Sequence, residues 1–134
     1  FSQVIGQNLM TAIHSTQAAL PWLQQQESAS IVQISSISGI QPLPGGSAYA
    51  AAKHALVGWC RSIFSELRRE GIRVSLIHPG SIAAESAQIG PEKASVSDPL
   101  DPAEVASVLI QLLEAPPGTV LSEVEIRPLL PPAK

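Results

Sequence analysis

Two short apolar runs constrain the fold of this chain more than any other feature of its sequence. The run SIVQIS spans residues 30–35 and the run IRVSLIHPG spans residues 72–80. Each carries apolar residues on both faces, which is typical of strands inside a parallel sheet that is covered on both sides. A helical pattern of apolar residues precedes each run, over 1–25 and over 47–70. Because parallel strands need crossover helices, this alternation predicts an α/β fold with a parallel sheet.

A third helix and a third strand continue the alternation toward the end of the chain. The sequence DPAE predicts a helix start in which Asp101 is the N-cap, Pro102 is the first helical residue and Glu104 completes a capping box. The run TVLSEVEIRP, residues 119–128, predicts the third strand. The predicted order is therefore helix, strand, helix, strand, helix, strand.

The helix over 47–70 has a signal at each end. Ser47 is expected to cap its start, because a serine hydroxyl can accept a hydrogen bond from a backbone N–H of the first turn. Gly71 is expected to end it, because glycine adopts the left-handed conformation without steric cost. These ends place Tyr49 and Lys53 in the first two turns of the helix.

A sheet of three strands is narrow for strands that are apolar on both faces. A strand as apolar as IVQI would expose unpaired backbone groups if it lay at an edge. We therefore expect residues 1–134 to form a single partial domain, the second half of a Rossmann-like doubly wound parallel sheet with three strands and three main helices. Phe1 at the first position also suggests that the start of a longer protein is missing.

Composition argues against several classes of function. The eight Lys and Arg residues are scattered and the net charge is −3, so no nucleic-acid partner is expected. No apolar run approaches the ~18 residues of a membrane span, so no membrane partner is expected. With one cysteine, and with His14, His54 and His78 not spaced as ligands, no metal site is expected. Cys60 has no disulfide partner in the chain, which suits a reducing compartment and predicts a cytoplasmic location.

Tyr49 and Lys53 form the most informative pair in the sequence. Residues four apart on a helix share a face, and this face otherwise carries Leu56, Cys60, Phe64 and Leu67. An ammonium group favours the phenolate form of a neighbouring tyrosine, and a helix N-terminus adds positive potential, so the pair can act as a general acid or base. The structural alternative is a tyrosine packed on the core beside a lysine that extends to solvent, and Tyr-x-x-x-Lys alone does not exclude it.

Two polar residues elsewhere are candidates for the same site. Ser36 follows the first buried strand, where α/β proteins bind ligands, and its hydroxyl can donate to a carbonyl oxygen or alkoxide. A loop serine that bonds its own backbone is the alternative. Asn8 lies on the apolar stripe of the first helix, where an amide needs partners. It either pins the structure or holds a water molecule near the lysine.

Four segments of the chain resemble parts of the short-chain dehydrogenases/reductases, the SDR family. The segment IVQISSISGIQPLPGGSAYAAAKHAL resembles the active-site segment of that family, and GIRVSLIHPGSI resembles the strand and Pro-Gly turn that follow it. The segment NLMTAIHSTQAALPWL is similar to the preceding helix, and EVEIRP is similar to a common last strand. Together they cover nearly all of the chain in the expected order.

The resemblance implies hydride transfer between NAD or NADP and a small alcohol or ketone. It implies that Tyr49 is the general acid/base, and that Lys53 assists it and binds the nicotinamide ribose. Ser36 would orient and polarise the substrate oxygen, and Asn8 would support a water-linked proton relay to the lysine. The cofactor carries out the redox chemistry, and these residues manage the proton and the geometry.

The same resemblance assigns roles to the second strand end and to the helices. Pro79, Gly80 and Ile82 match the turn that lines the nicotinamide, partly through backbone groups. The segment from Ala83 to about residue 100 matches a mobile substrate loop. Family members usually associate through the helices that match 1–25 and 48–70, which implies a homodimer or homotetramer.

Two departures from the family pattern limit these expectations. Ala84 stands where the family often has a threonine that bonds the cofactor carboxamide. The glycine-rich phosphate loop, the residue that selects the ribose form and the Asn-Ala-Gly stretch are all missing from these residues. A second interpretation therefore remains, in which the chain is a non-catalytic truncated fragment that can associate with itself but cannot hold a dinucleotide.

Overall fold

The computed structural model describes residues 1–83 and 99–130. Within these residues the sheet has three strands, in the order β1 (Ala29–Ile34), β2 (Ile72–Pro79) and β3 (Glu123–Ile126). Both pairings are parallel, with Ile34 opposite Ile77 and Pro79 opposite Ile126. The carboxyl ends of the strands consequently lie at one edge of the sheet. The predicted parallel α/β fold is confirmed.

Three main helical segments alternate with the strands. The first contains α1 (Ser2–Ile5), a π-helical turn (Gly6–Met10) and α2 (Thr11–Leu23) without a break between them. The second is α3 (Ser47–Leu67), which continues into a 3-10 turn (Arg68–Glu70), and the third is α4 (Pro102–Leu113). A further 3-10 turn (Ile37–Gly39) follows β1. The π-helical turn was not predicted from the sequence, and such turns often occur at functional sites.

Helices cover both faces of the sheet and form two cores. On one face, α2 and α3 pack against a cluster that consists of Ala29, Ile31, Leu56, Val57, Cys60, Leu67, Ile72, Val74 and Leu76. On the other face, α4 packs against a smaller cluster that consists of Ile77, Leu100, Val105 and Leu112. The central strand β2 contributes to both clusters, which explains why its sequence is apolar on both faces. The arrangement is a parallel sheet covered by helices on both faces, as in doubly wound α/β folds.

The ends of the helices match the sequence at two of three positions. The capping box is confirmed, because Ala103 N–H donates to Asp101 Oδ1 and Asp101 N–H donates to Glu104 Oε2, each over 2.8 Å. Gly71 adopts φ 77° after the 3-10 turn, as expected of the residue that ends the helix. The Ser47 cap is wrong: Ser47 is already the first helical residue, and Gly46 occupies the N-cap with no side-chain bond.

The turn before α3 explains the shifted helix start. Gly46 N–H donates to the carbonyl oxygen of Leu43 over 3.0 Å, and Ala50 N–H already donates back to Gly46 over 2.9 Å. Gly45 has φ 78°, a conformation that favours glycine. The turn therefore ends at Gly46, which serves as the N-cap of α3, one residue before the predicted cap at Ser47.

The third strand is shorter than predicted. The sequence predicted residues 119–128, whereas β3 covers only Glu123–Ile126. Its predicted beginning is still part of a turn, because Thr119 N–H donates to the carbonyl oxygen of Pro116 over 3.0 Å and Gly118 has φ 84°. The prediction relied on residue types that favour strands, and these continue beyond the residues whose backbones pair in the sheet.

A hydrogen-bonded network around Glu123 joins α3 to β2 and β3. His78 is 1% exposed, and its Nε2 lies 3.2 Å from Glu123 Oε2. Arg61 donates from Nε and Nη2 to the two oxygens of Glu123 over 2.7 and 3.0 Å. These contacts with Arg61, and more weakly with His78, hold the pKa of Glu123 below its ordinary value. From the sequence, His78 was considered only as a possible metal ligand, and nothing there indicated this contact.

The low pKa of Glu123 predicts how stability changes with pH. Its charged form is favoured in the folded state, so this contribution is present above the ordinary value of 4.5 and is lost as the pH falls further. We expect the free energy of unfolding of Glu123→Gln to be lower than that of the parent chain at neutral pH. The difference should shrink in acid, as measured by urea denaturation across the pH range.

The exposed carboxylate Glu66 on α3 offers a matched control. Glu66→Gln removes the same charge from the helix that carries Arg61 without breaking the network around Glu123, so the pH dependence of unfolding should change little. If Glu123→Gln and the parent chain have parallel stability curves down to acid pH, the network does not contribute as the contacts indicate.

Candidate active site

Tyr49 and Lys53 lie together at the start of α3. The Lys53 Nζ atom is 5.6 Å from the centroid of the Tyr49 ring, and both side chains are partly buried. The same Nζ donates a hydrogen bond of 3.1 Å to the carbonyl oxygen of Ile34, the last residue of β1. The lysine therefore connects the first turns of α3 to the carboxyl edge of the sheet. This bond partly answers how an ammonium can be held on an apolar helix face.

Burial also affects the charge of this lysine. Desolvation lowers the pKa of Lys53 from its ordinary value of 10.5. Farther along the same face, Leu56 and Cys60 are each 1% exposed and belong to the larger core cluster. The predicted inward stripe of α3 is therefore correct, and its buried part fixes the orientation of the two polar residues at its beginning.

Ser36 lies between β1 and the 3-10 turn that follows it. It is the N-cap of that turn, and its Oγ accepts a hydrogen bond of 3.1 Å from Ser38 N–H. This local bond is the alternative that the sequence left open. It uses the hydroxyl oxygen as an acceptor, so the hydroxyl hydrogen can still be donated to another group. The bond also fixes the position of the Ser36 Oγ atom relative to the 3-10 turn.

Gly39 brings the turn that carries Ser36 against α3. A Cβ atom built on Gly39 would lie 2.7 Å from Ser35 Oγ, 3.0 Å from the carbonyl oxygen of Lys53 and 3.1 Å from a Val57 methyl group. Only a residue without a side chain allows this approach. Nothing in the sequence indicated this contact, because it joins segments on either side of the turn.

We expect Gly39→Ala to displace the 3-10 turn from α3, because a backbone carbonyl oxygen cannot yield as a flexible side chain can. The melting temperature should fall, and any activity that depends on Ser36 and Lys53 should fall with it. Gly58→Ala is the matched control, because Gly58 lies in α3 and a Cβ there meets nothing within 4 Å.

The control should raise stability by roughly 0.5–1 kcal/mol, since alanine is favoured over glycine inside a helix. Thermal denaturation of both variants measures the two opposite shifts. An alanine at position 39 that leaves the melting temperature and activity unchanged would show that the turn is not tightly held.

Asn8 lies in the π-helical turn, which packs against α3. Its Nδ2 donates to the carbonyl oxygen of Val4 over 3.1 Å, within its own helix. The structure thus gives the amide a local partner, which fits a structural pin. It brings the turn of Asn8 next to the helix of Lys53 but records no direct bond between the two side chains.

The residues expected to line the nicotinamide continue from β2. Pro79 is its last residue, and Gly80 N–H donates to the carbonyl oxygen of Ile126 over 2.8 Å. Ile82 forms a parallel bridge with Leu100, and 38% of its surface is exposed. The turn is therefore held to β3 on one side and to the segment before α4 on the other. It lies at the same edge of the sheet as the Lys53–Ile34 bond.

Other expectations fall on different parts of the chain. The predicted substrate loop from Ala83 to about residue 100 lies mostly outside the described residues, as does Ala84.

Burial raises the pKa of the Cys60 thiol to about 12, with a smaller contribution from Glu123, which makes this thiol a poor nucleophile.

The part of the chain that the structure describes contains neither a metal-binding cluster nor a membrane-spanning helix. Over 1–83 and 99–130, no group of three or more His, Cys, Asp and Glu side chains is arranged to hold a metal ion. Among the helices in those ranges, none combines the length and the apolar character needed to cross a bilayer.

Comparison with known proteins gives this geometry a context. The curated relatives include an uncharacterized oxidoreductase of Staphylococcus epidermidis, 31% identical over 129 residues, which cover 94% of this chain and 54% of the relative. A metagenomic short-chain oxidoreductase solved with NADP is 32% identical with a TM-score of 0.74, over 94% of this chain and 51% of that protein. A 4-hydroxyisoleucine dehydrogenase solved with NADH is 30% identical with a TM-score of 0.78, over 96% and 58%.

The extent of these matches is as informative as their identity. The chain spans about half the length of the relatives it matches, in agreement with a three-stranded half of a larger sheet. Residues 1–94 match the family described as short chain dehydrogenase, and this range contains Ser36, Tyr49, Lys53 and the Pro79–Gly80 turn. The chain therefore belongs to the short-chain dehydrogenase family.

Proposed function

We propose that this chain is the catalytic half of an oxidoreductase that transfers a hydride between NAD or NADP and a small alcohol or ketone. The observation that carries the proposal is the arrangement around Lys53, whose Nζ lies 5.6 Å from the Tyr49 ring centroid and 3.1 Å from the Ile34 carbonyl oxygen. This arrangement lies at the carboxyl edge of a parallel sheet, where such folds bind their ligands.

The residues at this edge fit a nicotinamide cofactor. Lys53 has three N–H donors and uses one on Ile34, which leaves two for the hydroxyl groups of a ribose. Ile82 offers a partly exposed apolar side chain beside the Pro79–Gly80 turn, against which a flat ring can pack. When bound, the cofactor supplies the hydride donor or acceptor. The relatives solved with NADP and with NADH support either form of the cofactor.

In the proposed mechanism the chain's own residues move the proton. Tyr49 takes a proton from the alcohol oxygen during oxidation and returns it during reduction, and the positive charge of Lys53 favours the phenolate that this exchange requires. Ser36 donates its hydroxyl hydrogen to the reacting oxygen, since its oxygen already accepts from Ser38 N–H. Asn8 would hold a water molecule in the proton path behind the lysine.

The domain proposal can be tested by dinucleotide binding. Residues 1–134 would be a partial domain, and the other half of the sheet would carry most of the pyrophosphate site. We expect the chain alone to bind NADH or NADPH weakly, as measured by a fluorescence titration. The whole enzyme, meaning this chain together with the dinucleotide-binding half, should bind tightly, and micromolar affinity of the chain alone would contradict the division.

Turnover tests the proposed reaction directly. The whole enzyme is mixed with small secondary alcohols and either oxidised cofactor, and formation of reduced nicotinamide is followed by absorbance. We expect turnover with at least one cofactor. Cofactor binding without turnover of any alcohol or ketone would instead favour a non-catalytic fragment that only associates.

We also propose self-association through the helices over 1–25 and 48–70, and a cytoplasmic location, which suits the free thiol of Cys60. Support for association comes from two aromatic residues at the first helix, Phe1 and Trp22, which are 74% and 71% exposed. Sedimentation equilibrium measures the mass in solution, and a strictly monomeric protein at high concentration would exclude this assembly.

A further inference from the structure

An open pocket lies beside the proposed active site. Its volume is about 390 Å³, which falls in the range of small-molecule sites, roughly 300–1,000 Å³. Ile37 lines one wall and directly follows Ser36, while Gly80 lines another and directly follows Pro79. Ser36 itself does not line the pocket, but consecutive Cα atoms are about 3.8 Å apart, so the pocket adjoins the turn that begins at Ser36. The pocket is therefore next to the proposed substrate-orienting residue.

The far wall of the pocket comes from the segment that follows β3. Arg127, Leu129 and Leu130 belong to this wall, and the two leucines are 81% and 49% exposed. When an apolar group covers exposed leucines beside a pocket, the removal of their surface from water lowers the free energy of the complex. This wall therefore suits a substrate whose part away from the reacting carbon is apolar.

Arg127 is the single charged residue among the described residues that line this pocket. Its Nε and Nη2 donate to Glu125 Oε2 over 3.0 and 2.5 Å, and its Nη1 lies 3.5 Å from Gln41 Oε1. The guanidinium is therefore already paired with a carboxylate. A substrate carboxylate in the pocket would have to share this cation with Glu125 and would meet the repulsion of a second anion.

We propose that this pocket binds the apolar part of the substrate and that the Glu125–Arg127 pair selects neutral alcohols and ketones over hydroxy acids and keto acids. The inference rests on the proposed function, whose substrate class it narrows. The selecting residue is Glu125, because it occupies the only cation that the described residues contribute to the wall of this pocket. Without the carboxylate at position 125, Arg127 is free to form a bidentate bond with a substrate carboxylate.

The test compares two substrates of equal chain length, a neutral secondary alcohol and the hydroxy acid that carries a terminal carboxylate. The ratio of their kcat/KM values in the whole enzyme is the readout. We expect the parent enzyme to favour the neutral alcohol. Glu125→Gln should raise the relative kcat/KM for the acid by about tenfold, the effect of one new charge-assisted hydrogen bond.

Three further variants separate this effect from general damage. The double variant Glu125→Gln/Arg127→Gln should lose the gain, because the guanidinium that would bind the acid is no longer present. Arg127→Met alone should lower the relative rate with the acid below that of the parent, since Glu125 is then an unpaired anion. Glu114→Gln, at the end of α4, removes an exposed carboxylate elsewhere and should leave the ratio unchanged. The Glu125–Arg127 pair is partly exposed, 48% and 38%, so these changes should cost little stability.

The possible outcomes distinguish the inference from the proposed function. An enzyme that turns over neither substrate overturns the proposed function. An enzyme that turns over the neutral alcohol, but whose ratio does not respond to Glu125→Gln or to Arg127→Met, overturns the inference alone. A parent enzyme that already prefers the hydroxy acid overturns it as well.

Discussion

Replacing Tyr49 by phenylalanine is expected to abolish nearly all turnover of the whole enzyme, by about a hundredfold to ten-thousandfold, the range for loss of a general acid or base. The substitution keeps the ring that lies beside Lys53 and removes only the hydroxyl that is proposed to exchange the proton. Cofactor affinity should therefore remain largely intact. Steady-state kcat and a cofactor titration measure the two effects separately.

A nearby hydroxyl provides the control for this experiment. Ser47→Ala removes a hydroxyl from the first turn of the same helix, where Ser47 makes no capping bond. Turnover of this variant should stay close to that of the parent. If Tyr49→Phe retained substantial turnover while Ser47→Ala behaved as expected, another group would have to carry the proton.

Replacing Lys53 by methionine is expected to lower turnover by about a hundredfold or more and to move the pH optimum of the remaining activity upward. The methionine fills a similar volume but removes a positive charge that favours proton loss from neighbouring groups, so the remaining proton transfer should require a higher pH. The bond from Nζ to the Ile34 carbonyl oxygen is lost at the same time. Cofactor affinity should weaken too, because the proposed ribose donors disappear. A pH–rate profile and a titration with reduced cofactor measure these changes.

Arg69→Met is the matched control for the loss of positive charge, since Arg69 lies in the exposed 3-10 turn at the other end of the helix. Its pH optimum and its cofactor affinity should match those of the parent. A loss of rate in Lys53→Met without any change in the pH profile would indicate a structural role for the lysine. The proton-transfer role assigned to the pair would then be wrong.

The features predicted correctly from the sequence depend on neighbouring residues or on the pattern of apolar residues along the chain. The capping box around Asp101 and the end of α3 at Gly71 follow from local backbone geometry, which a few residues decide. The parallel sheet followed from the alternation of helices with strands that are apolar on both faces. Tyr49 and Lys53 were placed on one face by helical spacing alone, and their partial burial agrees with this.

The features that escaped prediction depend on residues far apart in the chain. Arg61 and Glu123 are 62 residues apart, and neither residue type indicates its partner from the sequence. The contact of Gly39 with Lys53 arises only when the turn after β1 folds onto α3. The overlong third strand and the misplaced Ser47 cap are errors of another kind, in which a correct preference was overruled by an adjoining turn.

The short third strand has a practical consequence for changing what this protein acts on. Beyond Ile126 the chain leaves the sheet, and its side chains at Leu129 and Leu130 contribute little to the interior, being 81% and 49% exposed. A combinatorial library that randomises this stretch would therefore spare both the proposed proton-transfer residues and the folding core. Most members of such a library should still fold, so that variants with a new substrate preference can be selected from it.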